Sequence, residues 1–331
     1  MILVIGEALI DMIEDRETAG SFKAVVGGAN LNVAIALARR GTPVQFLPRL
    51  SNDRFGRMIR EKLVANHVGL EYSISATELS TLVTVSIDAA GQPSYSFYVN
   101  GTADWGWTPD ELPTDADLEN IHATAIQIGC LTMAMEPGNL VVEAWARAHY
   151  EQNSLTVSHD VNLRPALGFE VGKERARVES INAASHIIKA SDEDIAWLYQ
   201  LNLTQAPAAK RIDEIAADWI GKTERIVLVT RGADGTSIYR QGKDRIDVPS
   251  RKITVMDTVG AGDTFCANLL GQLRDVAALG ADPFDRLANL TDADLAEFVR
   301  VAGIAASITC ERKGAEPPTL EDLNQVLESL A

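Results

Sequence analysis

The chain has 331 residues, 46% of them apolar and 23% charged, enough for one large α/β domain or two modest ones with an ample core. A net charge of −16 argues against nucleic acid or an anionic membrane surface as main partner, although a nucleotide needs only a local patch. Three cysteines far apart, no apolar run approaching the roughly 18 residues of a membrane span, and an N-terminus that enters a strand-like run without a basic leader predict a cytoplasmic soluble protein with buried thiols.

Residues 2–5 form the first candidate central strand. Asp11 lies just beyond it, where ligands bind in open α/β folds, although a solvated turn aspartate fits equally. Residues 21–26 are an isolated strand candidate. Gly27 and Gly28 then precede a helix over 32–40; paired glycines allow close backbone approach to a small ligand, and Asn32 offers a donor and an acceptor. The same residues also read as an ordinary helix start. Asp53 stands where a cap for the next helix, 54–65, belongs.

Residues 81–88 and 94–99 alternate around Ala89-Ala90-Gly91-Gln92-Pro93, a hairpin signal. Antiparallel strands inserted in a βαβ chain predict a separate small sheet, a lid over the ligand crevice; an edge extension of the main sheet is the alternative. Phe97 and Tyr98 near its end could shield a ligand from water or simply pack the sheet. Downstream, short runs at 125–128, 156–158, 186–188 and 226–230 alternate with helical stretches at 139–150 and 211–220, which indicates a parallel sheet covered on both faces. Arg164 ends one of these strand regions and either meets a ligand or pairs with Asp160.

The most specific stretch is Asp257-Thr258-Val259-Gly260-Ala261-Gly262-Asp263-Thr264-Phe265. Two glycines allow a tight turn, and Phe265, Leu269, Leu270 and Leu273 recur at helical spacing, so the loop opens a helix. Exposed amides at a helix start attract anions, phosphate above all. An acid in that place, Asp263, suits a base that takes a proton from whatever attacks the phosphate. Phosphoryl transfer to a hydroxyl is the chemistry this combination suggests.

That string resembles the D-T-x-G-A-G-D-x-F signature of the ribokinase-like (phosphofructokinase B-type) carbohydrate kinases, and the likeness runs through nearly the whole chain in order. Asp11, with Gly28 and Asn32 of a G-G-x-x-x-N site, matches residues that hold sugar hydroxyls, though Asn30 stands where the family has a small residue or proline. The 97–104 segment resembles F-Y-x-x-x-T-A-D of bacterial fructokinases, with Val99 where kinases of 2-keto-3-deoxygluconate carry an arginine. Residues 160–165 resemble D-x-N-x-R-P; Lys189, Ser191 and Asp194 occupy the N-x-x-E position; Thr230, Gly232 and Gly235 match a nucleotide turn. Residues 305–308 through 314–315 resemble the helix and loop that flank adenine, where the family's asparagine is replaced near Gly303.

The resemblance implies a three-layer α/β/α ribokinase-like fold, with a core of residues 1–11, 28–78 and 108–331 and a small β lid of 12–27 and 79–107. It implies an ATP-dependent sugar kinase, with fructose as leading acceptor and fructose 6-phosphate as product. Asp263 is then the base, Gly260, Ala261 and Gly262 form the anion hole, and Asp11, Gly28, Asn32, Phe97 and Arg164 bind sugar. Lys189, Ser191, Thr230, Gly232, Gly235 and Gly262 bind the nucleotide. Asp194 organises Mg2+ through water, and Asp257 with the Val259 carbonyl matches a K+ site. A homodimer through the lid is the partner expected. Alternatives are a kinase for 2-keto-3-deoxygluconate, another ketose or a nucleoside, and a catalytically dead sugar sensor. Gly221-Lys222-Thr223 looks like the end of a P-loop, but it precedes a strand and has Ala216 where that motif needs glycine. The histidines show no metal-binding spacing.

Overall fold

In the computed structural model, residues 1–15, 17–18, 20–87, 93–205 and 207–330 are described. The strands run β1 (Ile2–Ile5), β2 (Leu9–Glu14), β3 (Phe22–Gly27), β4 (Val44–Leu47), β5 (Arg49–Ser51), β6 (Ile74–Ala76) and β7 (Leu82–Ile87). Then follow β8 (Pro93–Tyr98), β9 (Ala125–Gly129), β10 (Thr156–Asp160), β11 (Ile187–Ser191), β12 (Ile226–Thr230), β13 (Thr236–Arg240) and β14 (Ile246–Val248). The first helices are α1 (Ala29–Arg39), α2 (Arg54–Ala65), α3 (Asp115–Asn120), α4 (Gly138–Glu151), α5 (Val171–Ala183) and α6 (Asp192–Tyr199). The others are α7 (Pro207–Ile220), α8 (Ala261–Asp275), α9 (Pro283–Ala288), α10 (Asp292–Cys310) and α11 (Leu320–Leu330).

Eight strands make the central sheet in the order β14-β13-β12-β11-β10-β9-β1-β4. The six from β12 to β4 are parallel, and β13 and β14 add an antiparallel edge. β1 is buried on both faces because successive side chains point opposite ways. Ile2 and Val4 pack against α1 and α8, while Leu3 and Ile5 pack with Leu118 of α3 and Val142 of α4. On the same side as those two helices, residues of β11 and β12 pack with α5, α6 and α7 around Val178, Ile195 and Ile215. The result is the three-layer fold that the alternation predicts.

The hairpin strands do form a sheet of their own, in the order β3-β2-β7-β8, rather than an edge of the main one. It is mixed: β2 pairs antiparallel with β3 but parallel with β7. The expected turn at 89–93 lies outside the described residues except for Pro93, which opens β8. Asp11, expected just beyond the first strand with a solvated turn as the alternative, sits inside β2 opposite Val25 and Val83. Long-range pairing with β3 and β7 extends the backbone where local sequence alone reads as strand end plus turn. Asp53 caps α2 as expected, accepting from the Gly56 amide at 2.8 Å. Gly221 closes α7 with a left-handed φ of 63° and leads into β12, so the Gly221-Lys222-Thr223 stretch is a helix end and not a P-loop.

Asp104 joins the two sheets. Its carboxylate accepts from the Ala8 amide between β1 and β2 at 2.8 Å and from the Thr81 hydroxyl before β7 at 2.6 Å. Burial pushes its pKa up to about 7, against the pull of these hydrogen bonds. A folded pKa above the unfolded value means that the stability from this group is full below the unfolded carboxylate range and is lost as pH rises through 7. Asp104→Asn keeps the Ala8 contact through Oδ1 and reverses the Thr81 one, with Nδ2 donating to the hydroxyl oxygen, without the titration. Urea unfolding at pH 5 and pH 8 should show the variant gaining about 2 kcal/mol on the wild type across that interval; a constant difference contradicts the assignment.

Candidate active site

The helix starts of α1 and α8 converge at the C-terminal ends of the parallel strands, the usual ligand crevice of such sheets. Gly28 precedes α1 with φ 115°, and a Cβ there would lie 2.7 Å from the Glu7 carbonyl oxygen, so only glycine fits. One turn on, Asn32 donates from Nδ2 to Asp263 Oδ2 at 2.8 Å. Gly260 enters α8 in the left-handed region, φ 79°, with Ala315 packed against it.

Asp263, in the first turn of α8, is only 6% exposed. Besides Asn32 it accepts from Asn162 Nδ2 at 3.3 Å. Burial raises its pKa, and the Asn32 hydrogen bond and the Lys189 and Arg164 charges hold that rise back. The Ala261 amide folds onto the Thr258 carbonyl at 3.3 Å. Among the described residues, the amides of Gly262 and Asp263 donate to no protein acceptor. These two, like the Gly260 amide, are therefore free to meet an anion, whereas the Ala261 amide that the sequence suggests is already paired.

Lys189 stands behind that loop: a Cβ on Gly262 would come within 2.9 Å of its Nζ. The ammonium also reaches both oxygens of Asp160 at 3.0 Å, a pair set up by the register that places Asp160 beside Lys189 in neighbouring strands. Burial alone would discharge Lys189, but the Asp160 carboxylate more than offsets it and holds its pKa above the ordinary lysine value. The Asp160–Arg164 pair considered from sequence is thus replaced. Arg164 turns instead to its own loop, donating from Nη1 to Asn162 Oδ1 at 2.6 Å and to the Leu163 carbonyl at 2.8 Å.

On the other wall, Asp11 presses against Gly27, where a Cβ would stand 2.3 Å from Oδ2. Burial lifts its carboxyl to about 6, opposed by the charges of Arg164 and Lys62. Phe97 is half-buried and packs with Leu9, Ala29, Val83, Val99 and Leu131, whereas Tyr98 points away and is 60% exposed. The two aromatics therefore do not act as a pair, because adjacent strand residues face opposite sides.

Thr230, Gly232, Gly235 and Gly262 share a cavity of about 580 Å3 on the far side of the α8 start. Its remaining walls are largely apolar, with Val248, Ile253, Phe265, Val299 and Ala306 among them. A Cβ on Gly235 would meet the Val248 carbonyl at 2.1 Å, whereas one on Gly303 would meet nothing within 4 Å and would project into open space. An apolar slot that ends at Gly262, with the Lys189 ammonium beside that glycine, matches a purine nucleotide with its phosphates.

Ser191 and Asp194 form a capping box on α6, and Asp194 also accepts from the Leu163 amide at 2.9 Å. Both Asp194 oxygens thus hold backbone donors, which leaves lone pairs for a water rather than an open metal ligand. Asp257 accepts from the amides of Val259 and Gly314, tying the α8 loop to the C-terminal loop. Sequence reasoning passed over Glu7, Asn162 and the partnership of Asp160 with Lys189. Glu7 carried a local signal, an acid two residues past the apolar strand β1, and Asp160 and Asn162 carried theirs as fixed positions of the 160–165 motif.

Residues 1–322 match the family described as pfkB family carbohydrate kinase. A fructokinase from Rhizobium leguminosarum bv. trifolii is 36% identical over 276 residues, covering 83% of this chain and 80% of that protein. A Klebsiella pneumoniae fructokinase is 30% identical over 292 residues, or 85% and 89% of the two chains. Among solved structures, a fructokinase with bound ATP from Xylella fastidiosa superposes with a TM-score of 0.85 at 25% identity, over 99% of this chain and 98% of the other.

Removing the ammonium alone would leave Asp160 charged and buried without a partner. Lys189→Met should lower stability by about 3 kcal/mol, and the double variant with Asp160→Asn should recover part of the loss. Thermal and urea unfolding of both variants check this; equal stability of the single variant and wild type contradicts it.

Proposed function

The chain belongs to the pfkB family of carbohydrate kinases, and on that premise we propose that it moves the γ-phosphoryl group of ATP to the primary hydroxyl of fructose, giving fructose 6-phosphate. The observation that carries this reading is the buried Asp263 carboxylate beside two free helix-start amides, reached across the crevice by Asn32 at 2.8 Å. The fructokinase relatives and the Val99 position support fructose over a sugar acid. An acceptor carboxylate wants a cation, and Val99 is a buried apolar side chain.

In the proposed mechanism Asp11, Gly28 and Asn32 hold the sugar hydroxyls, Phe97 covers the sugar, and Arg164 faces it from the third side. Asp263 Oδ takes the proton as the hydroxyl oxygen attacks the γ-phosphorus, and the bond from that phosphorus to the β,γ-bridging oxygen breaks with ADP as the leaving group. Its raised pKa suits that task, since a stronger base accepts the proton more readily. The Gly262 and Asp263 amides, set by the turn at Gly260, stabilise the charge on the transferring group. Lys189 adds a fixed positive charge behind the loop, while Thr230, Gly232 and Gly235 seat the nucleotide. The small sheet with β8 serves as the lid that excludes water. Magnesium bound with ATP would neutralise phosphate oxygens, and Asp194 would hold it through water. A monovalent cation would use Asp257 and the Val259 carbonyl. The free thiols Cys130, Cys266 and Cys310 suit a reducing cytoplasm.

A coupled ADP-release assay over a panel of acceptors tests the reading: turnover with fructose supports it, turnover only with a sugar acid or nucleoside shifts the acceptor, and none with any acceptor overturns it. Asp263→Asn should lower kcat by about 10²–10⁴ while fructose still binds by calorimetry; an unchanged kcat removes Asp263 as the base. Gly303→Leu should fill the nucleotide slot without straining the fold, raising KM for ATP by about tenfold or more with KM for fructose unmoved. Unchanged ATP kinetics would place the nucleotide elsewhere.

A further inference from the structure

Glu7 is fully buried at the end of β1, yet none of the roles above uses it. Its carboxylate gathers donors from two separate segments. Oε1 accepts from the Ala29 amide at 3.0 Å and, more weakly, from the Asn30 amide at 3.4 Å. Oε2 accepts from Asn30 Nδ2 at 2.8 Å, from the Thr132 hydroxyl at 2.6 Å and from the Thr132 amide at 3.3 Å. Every partner is a donor, so the site is built for an ionised carboxylate.

The first of these segments is the start of α1. Gly28 precedes that helix with no side chain to cap it, and the first turn contains no acid. Glu7 supplies the missing negative charge from across the crevice floor, where the helix dipole favours it. Asn30 joins the carboxylate to the Gly129 carbonyl at 3.1 Å, and it fits because residue 6 is glycine: a Cβ there would lie 2.2 Å from Asn30 Nδ2. The second segment is the turn Cys130–Met133, whose Leu131 packs with Ala29, Val99 and Phe97.

We propose that Glu7 is a positioning residue for the acceptor: it locks the start of α1 to the Cys130–Met133 turn and thereby sets Asn32 against both the sugar and Asp263. The inference rests on the kinase reading above and deepens it. It assigns to one buried carboxylate the alignment of the two walls that Asn32 and Phe97 present, and it accounts for Asn30, where a small residue would remove the one side-chain amide that bridges the carboxylate and the Gly129 carbonyl.

Glu7→Gln keeps the shape but turns an NH2 group toward donors. It should raise KM for the acceptor by about tenfold and lower kcat, with KM for ATP unchanged. A purely structural loss would reduce the active fraction, lowering kcat with both KM values unmoved. Thr132→Val and Asn30→Ala each leave the charge in place and remove part of its donor set, so they serve if Glu7→Gln does not fold; each should raise the acceptor KM about threefold or more. Acceptor KM values within twofold of wild type in the folded variants, or equal rises for acceptor and ATP, overturn the proposal. The wild-type rate with fructose tests the substrate reading by itself, and the Glu7 ratios are taken on whichever acceptor turns over.

Discussion

Two helix starts point into one crevice, and each is matched to a buried carboxylate. Glu7 meets the amides of α1, while Asp263 rides in the first turn of α8 with Asn32 and Asn162 as its donors. A carboxylate taken out of water is costly unless donors surround it, and helix starts supply donors already oriented. This constraint orders the rest of the site. It requires α1 and α8 to lie side by side, which they do through Leu31, Ile35, Phe265 and Leu269 in a common core.

The same economy of charge explains the nucleotide side. Lys189 is buried, and such an ammonium keeps its proton only next to a partner, here Asp160 in the neighbouring strand. Parallel register brings the two together at the strand ends, where the sheet opens onto the crevice. The free amides of Gly262 and Asp263 then lie beside a region that already carries fixed positive charge, next to the Asp263 carboxylate proposed as the base. An anion cradle and a carboxylate, which repel in isolation, coexist because each has its own counter-partner.

The small sheet adds the other half of the arrangement. Asp104 fastens it to the end of β1, and its inner face carries Asp11, Val83 and Phe97 toward the crevice. The proposed acceptor contacts therefore come from both sheets, so a shift of one against the other would alter acceptor fit before nucleotide fit. The cavity proposed for the nucleotide, walled by α8, α10 and the β12–β14 edge, takes no lining residue from the small sheet.

Much of this was legible in the chain. The loop Gly260-Ala261-Gly262-Asp263, the alternating strands and the α2 cap at Asp53 are all written in neighbouring residues, because turn chemistry, side-chain period and capping act over a few positions. Tertiary structure alone decided the pairings. Asp160 took Lys189 rather than Arg164, Asp11 became part of β2, Tyr98 turned away from Phe97, and Glu7 found its donors at positions 29, 30 and 132. Such choices depend on which distant segments burial brings within hydrogen-bond reach. Local sequence therefore determined where each element begins and what chemistry it carries, and only the packed sheets determined which charge answers which.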